Sequence, residues 1–263
     1  GWECLLTARP RIALVLSAGG LRGAAHLGVL RRLAAAGVPL DVIVGVSAGA
    51  VVVGYYAAVG LTIDELLADA DVFKGRHLVA HSLSLRLPSW MQPLGRPFAG
   101  IIPRRLRQLQ DGRFDRLHHG VSAIGVVCHD LTHDCPRYFA TGADGGVGLY
   151  AAVATSASIP NMFPMQPLNV DGTVCQCTDG GLSDALPIGF ARDRALEATH
   201  VIASDCRSRG APPEPADDLV YLQPQLDDTT ALRAPRESLS KAVAAGEAVV
   251  TPGVLERIAR WVG

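Results

Sequence analysis

The stretch Asp41-Val42-Ile43-Val44-Gly45-Val46-Ser47-Ala48-Gly49-Ala50 sets one serine between two glycines at the end of a β-branched run. β-Branched residues favour an extended strand, and the small apolar segment 50–60 suits a buried helix of about three turns. A serine at such a strand-to-helix turn is held in a strained backbone conformation, its hydroxyl lifted above the sheet edge. Gly45 and Gly49 remove the Cβ atoms that would clash there. The positive end of the following helix stands beside the same hydroxyl. These are the needs of an activated serine nucleophile, with Ser47 in that role and Gly45 and Gly49 as its elbow. Glycine, serine and alanine are also common in plain turns, so the rest of the chain has to decide.

A nucleophile requires a base, and reactive groups in parallel α/β sheets gather at strand C-terminal ends. Asp130, Asp179 and Asp205 are expected at such ends. The chain order serine, acid, histidine would demand a histidine after Asp179. Only His200 follows, and it opens a strand, which puts it at the opposite edge. His26 falls one turn inside the first helix, a position for packing rather than proton transfer. A carboxylate that takes the serine proton directly is the economical solution. Asp179 has Gly180 and Gly181 beside it, which permit close approach. Asp130, followed by Leu131-Thr132-His133, suits a turn in which an aspartate bonds its own backbone, and it is the main rival. Asp205 precedes a polar loop and reads as solvated.

A second glycine-rich loop, Ser17 to Gly23, follows the apolar run Arg11–Leu16 and leads into a helix. As a dinucleotide fingerprint it fails: Ala18 stands at the first glycine position, and the second strand lacks an acid at its C-terminal end. As an oxyanion loop it fits better. Gly19 and Gly20 let backbone N–H groups approach a substrate oxygen, while Arg22, Gly23 and the helix N-terminus add positive potential. A tight turn without a ligand is the third reading.

These loops need an α/β frame. The first sixty residues read strand, loop, helix, strand, elbow, helix, with Leu27, Leu30 and Leu33 at helical spacing and Gly37 as the stop. Strands are expected over 121–128, 136–140, 163–170, 173–177, 200–203 and 220–222. Thr132–Asp134 and Asp171-Gly172 are hairpin turns. Helices are expected over 148–158, 188–196 and most of 238–261. The whole 263-residue chain is read as one domain, with an insertion at about 70–119 and a C-terminal extension at about 206–263.

In the insertion, Lys74, Arg76, Arg86, Arg96, Arg104, Arg105, Arg107, Arg113 and Arg116 face only Asp71, Asp111 and Asp115. Trp90, Met91, Leu94 and Phe98 sit among them. The plain reading is a solvated arginine face over an ordinary core. The functional one is an irregular, partly helical cap that meets acyl chains and anionic head groups at a membrane surface.

With 49% hydrophobic and 19% charged residues the chain is globular, and a formal net charge of −1 gives no reason to expect nucleic acid. No apolar run reaches the length of a membrane span. The start Gly1-Trp2-Glu3-Cys4 lacks the basic and apolar pattern of a signal peptide and an initiator Met, which leaves room for residues upstream. Six sparse cysteines suit a reduced, cytoplasmic setting. Cys175 and Cys177 are expected on one face of one strand, without a second Cys/His pair at zinc spacing, so no metal is expected.

Gly19-Gly20-Leu21-Arg22-Gly23, Gly45-Val46-Ser47-Ala48-Gly49, Ala157-Ser158-Ile159-Pro160 with Phe163-Pro164, and Asp179-Gly180-Gly181 occur in that order. Together they resemble the patatin-like phospholipase family over about residues 11–203, with departures at Ser17 and Ala18. The resemblance implies an α/β fold with a mainly parallel central sheet and helices on both faces. It also implies a Ser–Asp dyad at Ser47 and Asp179, oxyanion glycines at Gly19 and Gly20, a lipid or fatty-acyl ester substrate and no cofactor. An acyltransferase would use the same parts. A non-catalytic nucleotide- or lipid-binding module of α/β fold is the alternative of another class.

Overall fold

The computed structural model describes residues 8–72, 101–157, 167–226 and 236–263. Strand β1 (Ile12–Leu16) lies at the centre, paired in parallel with β2 (Val42–Val46) on one side and β8 (His200–Ser204) on the other. β3 (Ala123–Asp130) adds in parallel beyond β2, and β9 (Leu219–Leu222) adds in parallel beyond β8. β4 (Cys135–Ala140) closes one edge as the antiparallel return of a hairpin with β3. β7 (Cys177–Asp179) also runs antiparallel to β3, and β5 (Leu168–Val170) with β6 (Thr173–Cys175) forms a separate two-stranded sheet.

The inner strands are fully buried because both faces are covered, as near-continuous Val/Ile/Leu runs require. Along β1, Ile12, Leu14 and Leu16 enter one core while Ala13 and Val15 enter the other. The first core receives α1 (Ala25–Ala35), α2 (Ala48–Val52) with its π-helical continuation Val53–Val59, and α3 (Ile63–Val72). The later helices α4 (Ile101–Gln110), α5 (Leu149–Ala157), α7 (Arg236–Val249) and α8 (Pro252–Val262) join it. The opposite core is smaller and is closed by α6 (Ile188–Arg192) through Phe190, together with Leu196 from the turn after it.

Helices α1 and α7 cross with their backbones almost touching. A Cβ on Gly28 would stand 2.0 Å from the Val243 carbonyl oxygen, and one on Gly246 would stand 2.0 Å from that of Ala25. Both glycines are therefore fixed by helix contact rather than by turn geometry.

Several expectations shift. The strand expected over 173–177 breaks at Gln176, where the chain changes partner: Cys175 pairs with Leu168, but Cys177 pairs with Asp130 of β3. Gln176 makes the switch by accepting from Leu131 N–H and donating to Thr132 Oγ1. Cys175 and Cys177 thus belong to different sheets, not to one strand face. The helix expected over 188–196 stops at Arg192, because Asp193 turns extended and its carbonyl accepts from Leu196 and Glu197. The C-terminal helix is two helices, divided by Thr251, whose hydroxyl caps α8 at the Val254 N–H. Within the insertion, α4 is helical as expected, but Arg105 is no surface group. It is 6% exposed and bonds Asp69 of α3 at 2.8 Å. Trp90, Met91, Leu94, Phe98 and Lys74, Arg76, Arg86 and Arg96 lie outside the described residues, as do the expected strand start at 163–166 and Ser158 to Phe163 of the family-like motif.

Candidate active site

Sheet register brings Ser47 and Asp179 together across 132 positions of sequence. β4 occupies one flank of β3, so β2 and β7 must share the other. Val46, the last residue of β2, pairs with Val127, and Asp179, the last residue of β7, pairs with the next residue, Cys128. β2 and β7 therefore meet end to end along one strand, and the residue after Val46 arrives beside Asp179. Ser47 Oγ donates to Asp179 Oδ2 at 2.8 Å.

The elbow is strained as its sequence demands. Ser47 has φ 55° and ψ −120°, a conformation that costs on the order of 1–3 kcal/mol and survives only under tight packing. That packing is in place. A Cβ on Gly45 would lie 2.3 Å from the Gly49 carbonyl oxygen, and a Cβ on Gly49 would lie 2.2 Å from that of Leu16. Ser156 of α5 completes the support: its hydroxyl accepts from the Ser47 N–H at 2.9 Å and donates to the Val127 carbonyl at 2.6 Å. Ser156 was not singled out in the sequence. Its only signal is its place immediately before the Ala157-Ser158-Ile159-Pro160 motif.

Asp179 is set up differently from an ion-paired carboxylate. Burial raises its pKa above the ordinary value, and hydrogen bonds from the Gly181 N–H and the Ser47 hydroxyl only partly offset this. Oδ1 takes the Gly181 N–H at 2.8 Å, which leaves Oδ2 for Ser47. Gly180 turns the chain against β3, where a Cβ would stand 2.2 Å from the Val127 carbonyl oxygen. The result is a carboxylate with raised basicity and one oxygen aimed at a hydroxyl, a geometry suited to proton abstraction.

The glycine loop passes beside this pair. Gly20 adopts φ 57°, which glycine tolerates, and the Gly19 and Gly20 N–H groups find no acceptor among the described residues. Gly23 lies against the elbow helix, 2.5 Å from Ala48 Cβ to the position of an added Cβ. Arg22 turns away from the loop: Nε donates to the Cys206 carbonyl at 2.9 Å and a terminal nitrogen to that of Leu226 at 2.8 Å. Beneath the loop, His26 is fully buried. A carbonyl can only accept, so Nε2 carries the proton to Ser17 O, and Nδ1 accepts from Ser204 Oγ. Burial pushes its pKa down to about 4 despite the Ser17 bond and the Asp205 charge.

The rival carboxylates are engaged elsewhere. Asp130 takes the Thr132 and His133 N–H groups on Oδ1, as its turn sequence implies, and Arg137 and His133 on Oδ2. Asp205 is 3% exposed, not solvated, because Arg207 folds back on it and Tyr221 of β9 donates to it at 2.6 Å. His200 stands at the start of β8 beside Thr199 and Trp261. Among the described residues no histidine bonds Ser47 or Asp179. A cleft of about 400 Å3 is lined by Tyr138 and Phe190 and includes neither Ser47 nor Asp179.

No helix of the described residues is long and apolar enough to cross a membrane. Against solved structures, the chain overlays VipD from Legionella pneumophila with a TM-score of 0.55 at 13% identity, covering 94% of this chain and 67% of that one. That likeness concerns the fold. In sequence, it is 30% identical over 202 residues to patatin-like phospholipase domain-containing protein 6 of Mus musculus. This covers 75% of the chain and 14% of that protein. Lysophospholipase nte1 of Emericella nidulans is 37% identical over 75% of the chain and 12% of its own length. An uncharacterized NTE family protein of Mycobacterium bovis is 34% identical over 68% of the chain and 45% of its own length. The chain thus spans a small part of its longer relatives. The sequence pattern described as Patatin-like phospholipase matches residues 14–192, from β1 to the end of α6, and the chain belongs to that family.

Proposed function

We propose that this chain is a serine lipid acyl hydrolase of the phospholipase A, lysophospholipase or esterase type, acting through Ser47 and Asp179. The observation that carries the reading is the 2.8 Å bond from a strained serine hydroxyl to a carboxylate that has no cationic partner among the described residues. Family membership and a relative named a lysophospholipase support a lipid ester as substrate.

Ser47 Oγ attacks the ester carbonyl carbon while Asp179 takes the hydroxyl proton. The tetrahedral oxyanion is held by the Gly19 and Gly20 N–H groups. Arg22 supports it indirectly, by bracing the loop against the Cys206 and Leu226 carbonyls. Collapse expels the alcohol, which receives the proton from Asp179 and leaves an acyl-enzyme. Water then attacks the acyl carbon, Asp179 accepts its proton, and that proton returns to Ser47 as the fatty acid departs. No step requires a metal or cofactor.

The purified chain, offered a panel of phospholipids, lysophospholipids and simple fatty-acyl esters, should release free fatty acid. Added lysolipid distinguishes hydrolysis from acyl transfer by product analysis. No turnover of any acyl ester by folded protein would reject the proposal.

A further inference from the structure

Beyond the dyad, the far end of β3 gathers an unusual set of donors. Cys128, Cys135, Cys175 and Cys177, four of the six cysteines, fall on β3, β4, β6 and β7, and His133 lies in the β3–β4 turn. Asp130 pairs across the sheet with Cys135 on one side and Cys177 on the other. A carboxylate oxygen of Asp130, a ring nitrogen of His133 and the Cys175 sulfur all lie within 4.8 Å of one another.

The arrangement is directional. Asp130 Oδ1 is occupied by the Thr132 and His133 N–H groups, at 2.9 and 3.1 Å, which leaves Oδ2 as the outward lone-pair donor. His133 Nδ1 stands 2.7 Å from Oδ2 and 3.9 Å from Cys175 Sγ. The Arg137 guanidinium donates to Oδ2 at 2.9 Å and stands 3.8 Å from Sγ, while Nδ1, 3.4 Å from the guanidinium, carries the proton that it gives to Oδ2. A cation thus already stands against two of the three atoms, Oδ2 and Sγ. Asp130 is fully buried, whereas the Arg137 and His133 side chains are 30% and 43% exposed, so a guanidinium can swing out and an ion can enter.

We propose that Asp130 Oδ2, His133 Nδ1 and Cys175 Sγ form a binding site for a zinc-like divalent cation, with water as fourth ligand. Mixed sulfur, nitrogen and oxygen donors are the set that Zn2+ accepts, and tetrahedral coordination separates such donors by about 3.4–3.6 Å. The observed spacings reach that geometry through side-chain movements on the order of 1 Å. On binding, three metal–ligand bonds form, the thiol proton passes to water, the imidazole shifts to its Nε2–H tautomer, and Arg137 is displaced. The site joins the end of β3, its turn and β6 at Cys175, two residues before the start of β7 and four before Asp179. Its role is to fix the strand that ends in the dyad acid, and it stands whether or not Ser47 proves to be a nucleophile.

Cobalt is the probe, because a thiolate ligand gives Co2+ a near-ultraviolet charge-transfer band. Reduced, chelator-treated chain titrated with Co2+ should develop this band at one ion per chain, and Zn2+ should abolish it by competition. Cys175→Ser should lose the band, and Asp130→Asn and His133→Ala should weaken Zn2+ binding at least about tenfold, while Cys135→Ser leaves it unchanged. Arg137→Gln removes the competing cation and should tighten Zn2+ binding, about tenfold. Absence of the band, its survival in folded Cys175→Ser, or Zn2+ binding no tighter in folded Arg137→Gln overturns the proposal.

Discussion

Asp179 and Asp130 stand close together in the same sheet, since Asp179 pairs with Cys128, two residues before Asp130 on β3. Their surroundings are opposite. Asp130 is buried, which alone would raise its pKa, but bonds from His133 and Arg137 hold it well below the usual carboxylate range. Among the described residues Asp179 receives only a backbone N–H and a serine hydroxyl, so burial wins and its pKa rises. Burial is common to both, and the donors that crowd Asp130, His133 first and Arg137 after it, separate them. A carboxylate neutralised by arginine is an anchor, whereas one left with a hydroxyl is available to take a proton.

The largest effect expected is on turnover. Ser47→Ala should lower kcat at least ~10³-fold, and Asp179→Asn should do nearly the same, because an amide cannot accept the proton. The asparagine can keep both the Gly181 and Ser47 hydrogen bonds. Because the folded state raises the Asp179 pKa, ionised Asp179 opposes folding at neutral pH. The favourable contribution is present below the ordinary carboxylate pKa and is lost as pH rises through the raised one. Asp179→Asn should therefore leave the melting temperature at neutral pH unchanged or higher. A dead but clearly destabilised variant would break the contrast with Asp130.

His26 provides the next test, as a buried titratable group with hydrogen bonds but no direct ion pair among the described residues. Its folded pKa is depressed to about 4, so its neutral form supports the fold fully above the unfolded value near 6.5. That support is lost as pH falls through this window, by about 3 kcal/mol once both states are protonated. Urea midpoints for wild type and His26→Gln between neutral pH and pH 4 should converge as pH drops. Parallel lines would show that His26 does not titrate in this way.

Asp130→Asn should cost about 1–3 kcal/mol, less than a fully buried pair, because the orphaned Arg137 reaches solvent. Folded molecules should keep most of their activity, the reverse of Asp179→Asn. Chemical unfolding and turnover per folded chain measure the two separately. Smallest is Ser156→Ala, which removes the acceptor for the Ser47 N–H and should cost about 1 kcal/mol, with a modest fall in kcat as the elbow loosens. No change in either would mean that the glycine packing alone holds the elbow.

What the sequence discloses here is mainly local backbone demand. Gly45 and Gly49 around Ser47, Gly180 and Gly181 after Asp179, and the β-branched runs of β1 to β3 are all read within a few residues, and the α/β frame follows from them. Hidden features depend on distant partners. The end-to-end meeting of β2 and β7 follows from the register of β3, and the break at Gln176 from a change of pairing strand. Asp205 looks solvated beside a polar loop until Arg207 and Tyr221 are seen around it. Arg105 reads as a surface cation until Asp69 is found against it. Ser156 and the Gly28–Gly246 crossing matter only through tertiary contact.

The most direct measurement of the dyad is covalent labelling by a fluorophosphonate, read by intact mass and peptide mapping. The account predicts one adduct per chain on Ser47, none in Ser47→Ala, strongly slowed labelling in Asp179→Asn and an unchanged rate in folded Asp130→Asn. An adduct on another residue, or Asp179→Asn labelled as fast as wild type while Asp130→Asn is silent, would contradict it.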